Sequence, residues 1–329
     1  MNPNVVAPFP ESPGDRDRWI LDRRPARNAV DAYQPYAFFV EEECGPSGQV
    51  QPVATIFLTN RECPFRCTMC DLWRNTLLES APLGAIPAQL DFALERMPPA
   101  ESIKLYNSGS FFDPRAIPPE DYAAIADRLQ RYSRVIVECH PAFAGDACIA
   151  FRDLLPGRLE VAMGLETANE RVLERLNKRM TLQQFKAAAA FLRKNDIDLR
   201  VFILVQPPFL AAQEALLWAT RSLDFARDCG ATAATLIPTR SGNGAMEELS
   251  QAGHFTPPGL AVLEQAVEYG LGLQGMRVFA DLWDPPEQDA CEQCFQKRRL
   301  RLRHINMRQQ WFAPVACPQC HPVADGEGA

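Results

Sequence analysis

Cys63, Cys67 and Cys70 stand at C-x3-C-x2-C spacing in the run Cys63-Pro64-Phe65-Arg66-Cys67-Thr68-Met69-Cys70. Thiolates hold iron–sulfur clusters, and a four-iron cluster ordinarily takes four of them. Three thiolates in one tight loop leave one iron without a protein ligand. An open position of that kind is where chemistry takes place at catalytic metal sites. The competing reading is a loop that is merely rich in cysteine, or part of a zinc site. Zinc would need a fourth ligand close by, and this loop holds no histidine. The expectation is therefore a [4Fe-4S] cluster. The apolar run 54–59 directly before the loop reads as a strand, so the loop should leave a strand end.

A second cysteine constellation lies far along the chain. Cys291-x2-Cys294 is followed after 22 residues by Cys317-x2-Cys320, with His321 next. Two knuckles of this kind are the signature of a closed four-sulfur site. Structural zinc is the preferred reading and a second iron–sulfur cluster the alternative, since four thiolates suit zinc and iron alike. Between the knuckles lie Lys297, Arg298, Arg299, Arg301, Arg303 and Arg308, the one basic concentration in the chain. A solvated helix face is the first reading of this segment and an anion or RNA contact the second.

Of the eleven cysteines, Cys44, Cys139, Cys148 and Cys229 are scattered. An odd total with such clustering is not a secreted disulfide framework and points to metal binding in a reducing compartment. The first twenty residues show no charged segment followed by an apolar one, and no apolar run reaches the ~18 residues of a spanning helix. A cytoplasmic protein is expected. The chain has 329 residues, 47% hydrophobic and 23% charged, with a net charge of −7. That balance argues against a broad nucleic-acid-binding face, which needs clustered Lys and Arg, while allowing a local basic patch.

The elements that must position these cysteines form an alternating series. Strands are expected at 54–60, 102–106, 134–138, 158–163, 198–205 and 232–237, with a further one at 277–283. Helices are expected at 87–96, 119–132, 181–194, 211–228 and 258–273. Repeated βα units imply a parallel sheet with helices outside, here an open (β/α)6 barrel of α/β class. The division expected is an N-terminal arm over 1–50, the barrel over 51–285 and a small four-cysteine module with tail over 286–329. The last residues, 324–329, read as a disordered tail.

In such barrels the loops at strand C-termini carry the site. The second strand runs into Asn107-Ser108-Gly109-Ser110, where small residues allow close approach of a ligand. The third and fourth strands end at Glu138 and Glu166, two carboxylates that could face one cavity; a surface salt bridge and a helix cap are their plain alternatives. His140 reads as a turn residue or a proton donor. Lys178 joins two helices, Gln206 ends the fifth strand, and Arg240-Ser-Gly-Asn243-Gly follows the sixth as a candidate anion-binding loop.

The cysteine spacing and its place after the first strand resemble the radical S-adenosylmethionine (SAM) enzymes. The resemblance implies that the open iron chelates the amino and carboxylate groups of SAM. It also implies that one electron cleaves SAM to methionine and a 5′-deoxyadenosyl radical, which takes hydrogen from a substrate. Phe65 matches a ring packed beside the cluster. The family's Gly-Gly-Glu type motif has no acid here, so Gly109 and Ser110 would contact SAM through a carbonyl or a hydroxyl. Glu138, Glu166, Lys178, Gln206 and Arg240 complete the expected SAM contacts. A flavodoxin- or ferredoxin-type electron donor is implied. Gly164-Leu-Glu-Thr167, the Asn177-Lys-x-x-Thr181 junction and Pro207-Pro-Phe209 resemble the branch containing the elongator catalytic subunit. Within it, Leu105–Asp113 and Gln206–Phe209 are most similar to the radical SAM subunits of archaeosine synthases, a likeness spanning residues 54–265. That likeness implies a carbon–nitrogen lyase step on a tRNA base. The functional readings carried forward are a radical SAM enzyme acting on an unidentified small-molecule substrate, a tRNA-modifying one, and a non-catalytic metal-binding protein.

Overall fold

The computed structural model describes residues 9–320; His321 and the expected tail at 324–329 lie outside them. Helix α1 (Pro13–Leu21) is capped by Ser12, whose hydroxyl accepts from the Asp15 amide, with proline at its first position. An antiparallel hairpin follows, β1 (Ala37–Cys44) and β2 (Val50–Phe57). The chain then alternates α2 (Ala85–Leu94), β3 (Ser102–Tyr106), α3 (Tyr122–Arg128), β4 (Arg134–Glu138), α4 (Asp146–Arg152) and β5 (Arg158–Glu166). Next come α5 (Glu170–Arg175), α6 (Leu182–Lys194), β6 (Asp198–Val205), α7 (Ala215–Asp228), β7 (Ala233–Pro238), α8 (Ala245–Gln251), α9 (Leu260–Leu271), β8 (Arg277–Ala280) and α10 (Glu292–Arg308). Among the described residues, eight strands form one sheet in sequence order. Strands β2 to β8 run parallel and β1 is antiparallel to β2.

The expected strands are present, with shifted ends. The first begins at Val50 and stops at Phe57, releasing residues 58–60 to lead into the cysteine loop. The helix expected at 119–132 is shorter, because a 3-10 turn at Pro119–Asp121 precedes α3. The sheet also extends into the segment read as an arm, since β1 lies within residues 1–50. Glu41-Glu42-Glu43 hid that strand from a hydropathy reading. Glu41 and Glu43 alternate with Phe38 and Val40, which pack against the core.

Two layers of side chains explain the curl. Ile103, Leu105, Val135, Val137, Val161, Val201 and Leu236 point outward into a core shared with Leu90, Leu129, Phe185 and Leu223 of the helices. The intervening residues point inward, and at the N-terminal end of the parallel strands they are charged. Glu43 of β1 meets Lys104 of β3 at 2.6 Å and Arg200 of β6 at 2.6 Å. Arg200 also meets Glu160 at 2.6 Å, and Glu160 meets Arg134 at 2.9 Å. A contact from β1 to β6 is open only to a sheet rolled into a barrel. At this end the inward face is therefore charged and paired, while the outward face is apolar. This paired network closes one end of the barrel, leaving the strand C-termini as its mouth.

The barrel does not close by strand pairing. Arg277 of β8 donates to the Cys44 carbonyl of β1 at 2.7 Å, yet α10 lies against both edges. Side chains of α10 take the place of a neighbouring strand. Gln309 accepts from the Val278 amide at 2.7 Å and Asn306 from the Ala280 amide at 2.8 Å, and both donate to the carbonyls of those residues. Polar groups of the β8 edge are thus satisfied without a ninth strand.

Candidate active site

The cysteine loop emerges from β2 at the barrel mouth and is clamped from several directions. Thr68 donates its amide to the Leu176 carbonyl at 2.9 Å and its hydroxyl to that of Arg175 at 3.1 Å. Asn177, at φ +56°, donates its side-chain amide to the Arg66 carbonyl at 2.7 Å. Asn243 donates to the carbonyls of Thr68 (2.8 Å) and Cys70 (3.2 Å), and Trp73 donates its indole N–H to Cys70 as well. The 240–244 loop expected to bind an anion therefore holds the cysteine loop. Phe65 stacks on His140 with ring centroids 3.9 Å apart.

Glu62 gathers Arg24, Arg27 and Arg66, tying the N-terminal segment to the same loop. Asp17 of α1 receives Asn177 and Arg179. Phe9, Trp19 and Ile20 pack on Met246 and Leu249 of α8. The segment before β1 thus straps the loop, α5 and α8 together, a role no local pattern in it announced.

The loop thiols influence one another, and burial pushes Cys63 up to about 11 and Cys67 and Cys70 up to about 12. Lys178 acts in the opposite sense on Cys63 and Cys67. These thiols are protonated in the free chain at neutral pH, and a metal takes them by displacing protons. Their sulfurs do not form one of the tight groups, all within 4.8 Å, that a single ion would collect; among the described residues that grouping is found at the C-terminal cysteines.

Around the loop stand the strand-end residues. Glu166 and Lys178 form a buried ion pair at 2.7 Å. Burial works against the Lys178 ammonium, but Glu166 and then Cys67 outweigh it and raise its pKa. The pair occupies space that only glycine leaves: a Cβ on Gly164 would lie 2.2 Å from Glu166 Oε1 and 2.6 Å from Lys178 Nζ. Glu166 itself takes φ +65° at a register shift in β5. Glu138 accepts the Asn107 amide at 2.8 Å, and burial raises it to about 7 despite that bond. Ser108, Glu166 and Gln206 are all left-handed non-glycine residues at strand C-termini, a conformation that costs energy and gathers at ligand sites. Asn107 is fully buried with both polar side-chain atoms unpartnered, as is natural for a group that meets a ligand or water.

The other expected contacts are placed differently. Gly109 backs onto Cys63, its notional Cβ 3.4 Å from the cysteine Cβ. Ser110 is turned inward, its hydroxyl accepting the His140 amide at 2.8 Å. Gln206 donates to the Thr256 carbonyl at 2.6 Å. Arg240 is paired with Asp281 at the end of β8. His140 Nδ1 accepts from the Ala142 amide and Nε2 meets the Lys178 carbonyl at 2.9 Å, while burial lowers its pKa to about 3. It is a neutral bracket for Phe65 and Lys178, not a free proton donor. Of the basic insert, Arg298 and Arg301 are buried against Glu264 and Glu268 of α9, and the remainder is exposed. In the sequence Asn243 is part of a candidate anion-binding loop, and Asn107 and Asn177 are only members of motifs with no role of their own; the clamping by Asn177 and Asn243 comes from contacts far apart in the chain.

The open α/β barrel, with three clustered cysteines after its first parallel strand, bears out the fold expected of the chain. No protein-family model matches the chain. It is similar to archaeosine synthase subunit beta of Methanosarcina acetivorans, at 29% identity over 204 residues, covering 59% of this chain and 58% of the relative. An uncharacterized protein of Methanocaldococcus jannaschii is 24% identical over 248 residues, covering 70% and 68%. The chain thus aligns with little more than half the length of the first of these. Among solved structures, Elp3 of Methanocaldococcus infernus gives a TM-score of 0.47 at 12% identity, covering 58% of this chain and 51% of that one. No helix among the described residues is long and apolar enough to cross a membrane.

Proposed function

We propose that this chain is a radical SAM enzyme whose Cys63, Cys67 and Cys70 hold a [4Fe-4S] cluster. Such a cluster, reduced by a flavodoxin- or ferredoxin-type donor, supplies one electron to SAM, giving methionine and a 5′-deoxyadenosyl radical that takes hydrogen from the substrate. The observation that carries the reading is the clamped three-thiol loop at the barrel mouth beside the buried Glu166–Lys178 pair. Lys178 offers a held ammonium for the SAM carboxylate. Glu138 and Asn107 offer an acceptor and an amide for its ammonium or ribose. Phe65, stacked on His140, and Cys63, against Gly109, pack the loop on the segments that follow β4 and β3.

A second reading names the substrate as a tRNA base. Its support is the similarity to relatives called archaeosine synthase subunit beta, together with the exposed basic residues of α10.

Anaerobic reconstitution with iron and sulfide, followed by reduction with dithionite, tests the main reading. The expected result is 5′-deoxyadenosine formed from SAM by the wild type and not by Cys67→Ser. A wild type that carries the cluster and forms none, whatever nucleic acid is added, overturns the enzyme reading.

A further inference from the structure

The C-terminal cysteines admit a sharper statement than four thiolates of unassigned metal. Cys291 Sγ lies 3.7 Å from Cys294 Sγ and 3.5 Å from Cys317 Sγ, and Cys294 Sγ lies 3.5 Å from Cys320 Sγ. All four sulfurs fall within 4.8 Å of one another. A Zn–S bond of about 2.3 Å gives a tetrahedron whose sulfur–sulfur edge is about 3.8 Å. Three of the six separations lie close to that edge. They are far too long for a disulfide, whose sulfurs are about 2.05 Å apart. They are also too short for a four-iron cluster, in which each thiolate sits on its own iron at a separate corner. The Cys291 amide points at Cys320 Sγ at 3.2 Å, a donor aimed at a sulfur acceptor as in a metal knuckle. Cys294 and Cys317 are buried and Cys291 and Cys320 half-buried, and four thiolates fill a tetrahedral ion's coordination with no position left open.

We propose that Cys291, Cys294, Cys317 and Cys320 bind one Zn²⁺ as a closed tetrathiolate, and that this ion is the latch of the barrel seam. Four thiolates in tetrahedral array bind Zn²⁺ above Fe²⁺ by the ordinary order of affinities. Cys291 is the N-cap of α10 and Cys294 lies in its first turn, while Cys317 and Cys320 end the segment that returns along the helix. The ion therefore joins the start of α10 to the returning chain. Between those points lie Asn306 and Gln309, which satisfy the β8 edge, and Arg301, which donates to the carbonyls of Phe312 and Ala313. Zinc has no redox chemistry, so the site fixes the seam and takes no part in electron transfer.

The test uses the full chain. In a Cys63→Ser/Cys67→Ser/Cys70→Ser variant purified without added metal, about one zinc per chain and no acid-labile sulfide are expected. Zinc-edge X-ray absorption of the wild type should give four sulfurs at about 2.3 Å. Adding Cys317→Ser should abolish stoichiometric zinc, lower the Tm by roughly 5–10 °C and speed proteolysis between β8 and α10. Iron with sulfide in the triple variant, sulfide-free iron in place of zinc, or oxygen and nitrogen neighbours at the zinc edge would each overturn the proposal. Because the first measurement is made without the loop cysteines, its outcome is independent of whether the wild type cleaves SAM.

Discussion

The Glu166–Lys178 pair yields a prediction that can be worked through from the geometry. Lys178 is 8% exposed and Glu166 7%, with Nζ 2.7 Å from Oε1. Removing one partner of a buried pair strands the other charge in a site with little water, at a cost of about 3–5 kcal/mol. Lys178→Met and Glu166→Leu should each fall in that range. The double variant strands no charge, so it should cost about 1–2 kcal/mol, far below the sum of the singles. Gly164→Ala probes the same pair independently. Its new Cβ would meet the two charged atoms at 2.2 and 2.6 Å, so it should cost about 2–3 kcal/mol in the wild type. In the double variant the atoms it collides with are gone, and the cost should drop below about 1 kcal/mol. Urea unfolding of all variants in a background lacking the loop cysteines excludes any contribution from a cluster. Singles that add to the double within about 0.5 kcal/mol would refute the claim that the two side chains form one electrostatic unit.

Glu138 should make stability depend on pH with a defined sign. Its folded pKa of about 7 lies above the ordinary 4.5. Between those values the folded chain holds a proton that the unfolded chain has released, so this carboxyl lowers stability as pH rises through the window. Glu138→Gln should therefore match the wild type near pH 4.5 and exceed it by up to about 3 kcal/mol at pH 8, read from urea midpoints; a difference independent of pH would contradict the assignment. Gly244 takes φ +87°, and a Cβ there would lie 1.9 Å from the Arg23 carbonyl. Gly244→Ala should lift the N-terminal strap from α8, seen as faster proteolytic cleavage between residues 22 and 35, while unchanged cleavage would mean that the strap is held elsewhere.

Much of the barrel was legible because its strands and helices carry their own periodicity. Strands β3, β4 and β6 coincide with the apolar runs that announced them, and Thr181 caps α6 as its sequence indicates. β1 was not legible, because Glu43 is drawn inward only by virtue of Lys104 and Arg200, which lie 61 and 157 residues further along. α1 was equally hidden, its apolar residues Trp19 and Ile20 being matched by α8 across most of the chain.

The cysteines show the same division. By themselves, their number and spacing determined that the chain carries a three-thiolate loop and a four-thiolate pair of knuckles, since ligand identity and short-range spacing are local properties. Only the tertiary structure decided what surrounds each. It turned Ser110 and Gln206 to backbone partners, gave Arg240 to Asp281, and brought Lys178 across from another loop to the cysteines. It also set the sulfur–sulfur distances at the C-terminal site, on which the proposal of one ion in place of a cluster rests. The physical reason is common to all of these. Hydrogen bonds, ion pairs and metal geometry act over a few ångströms, and which residues come that close is fixed by packing the whole sheet.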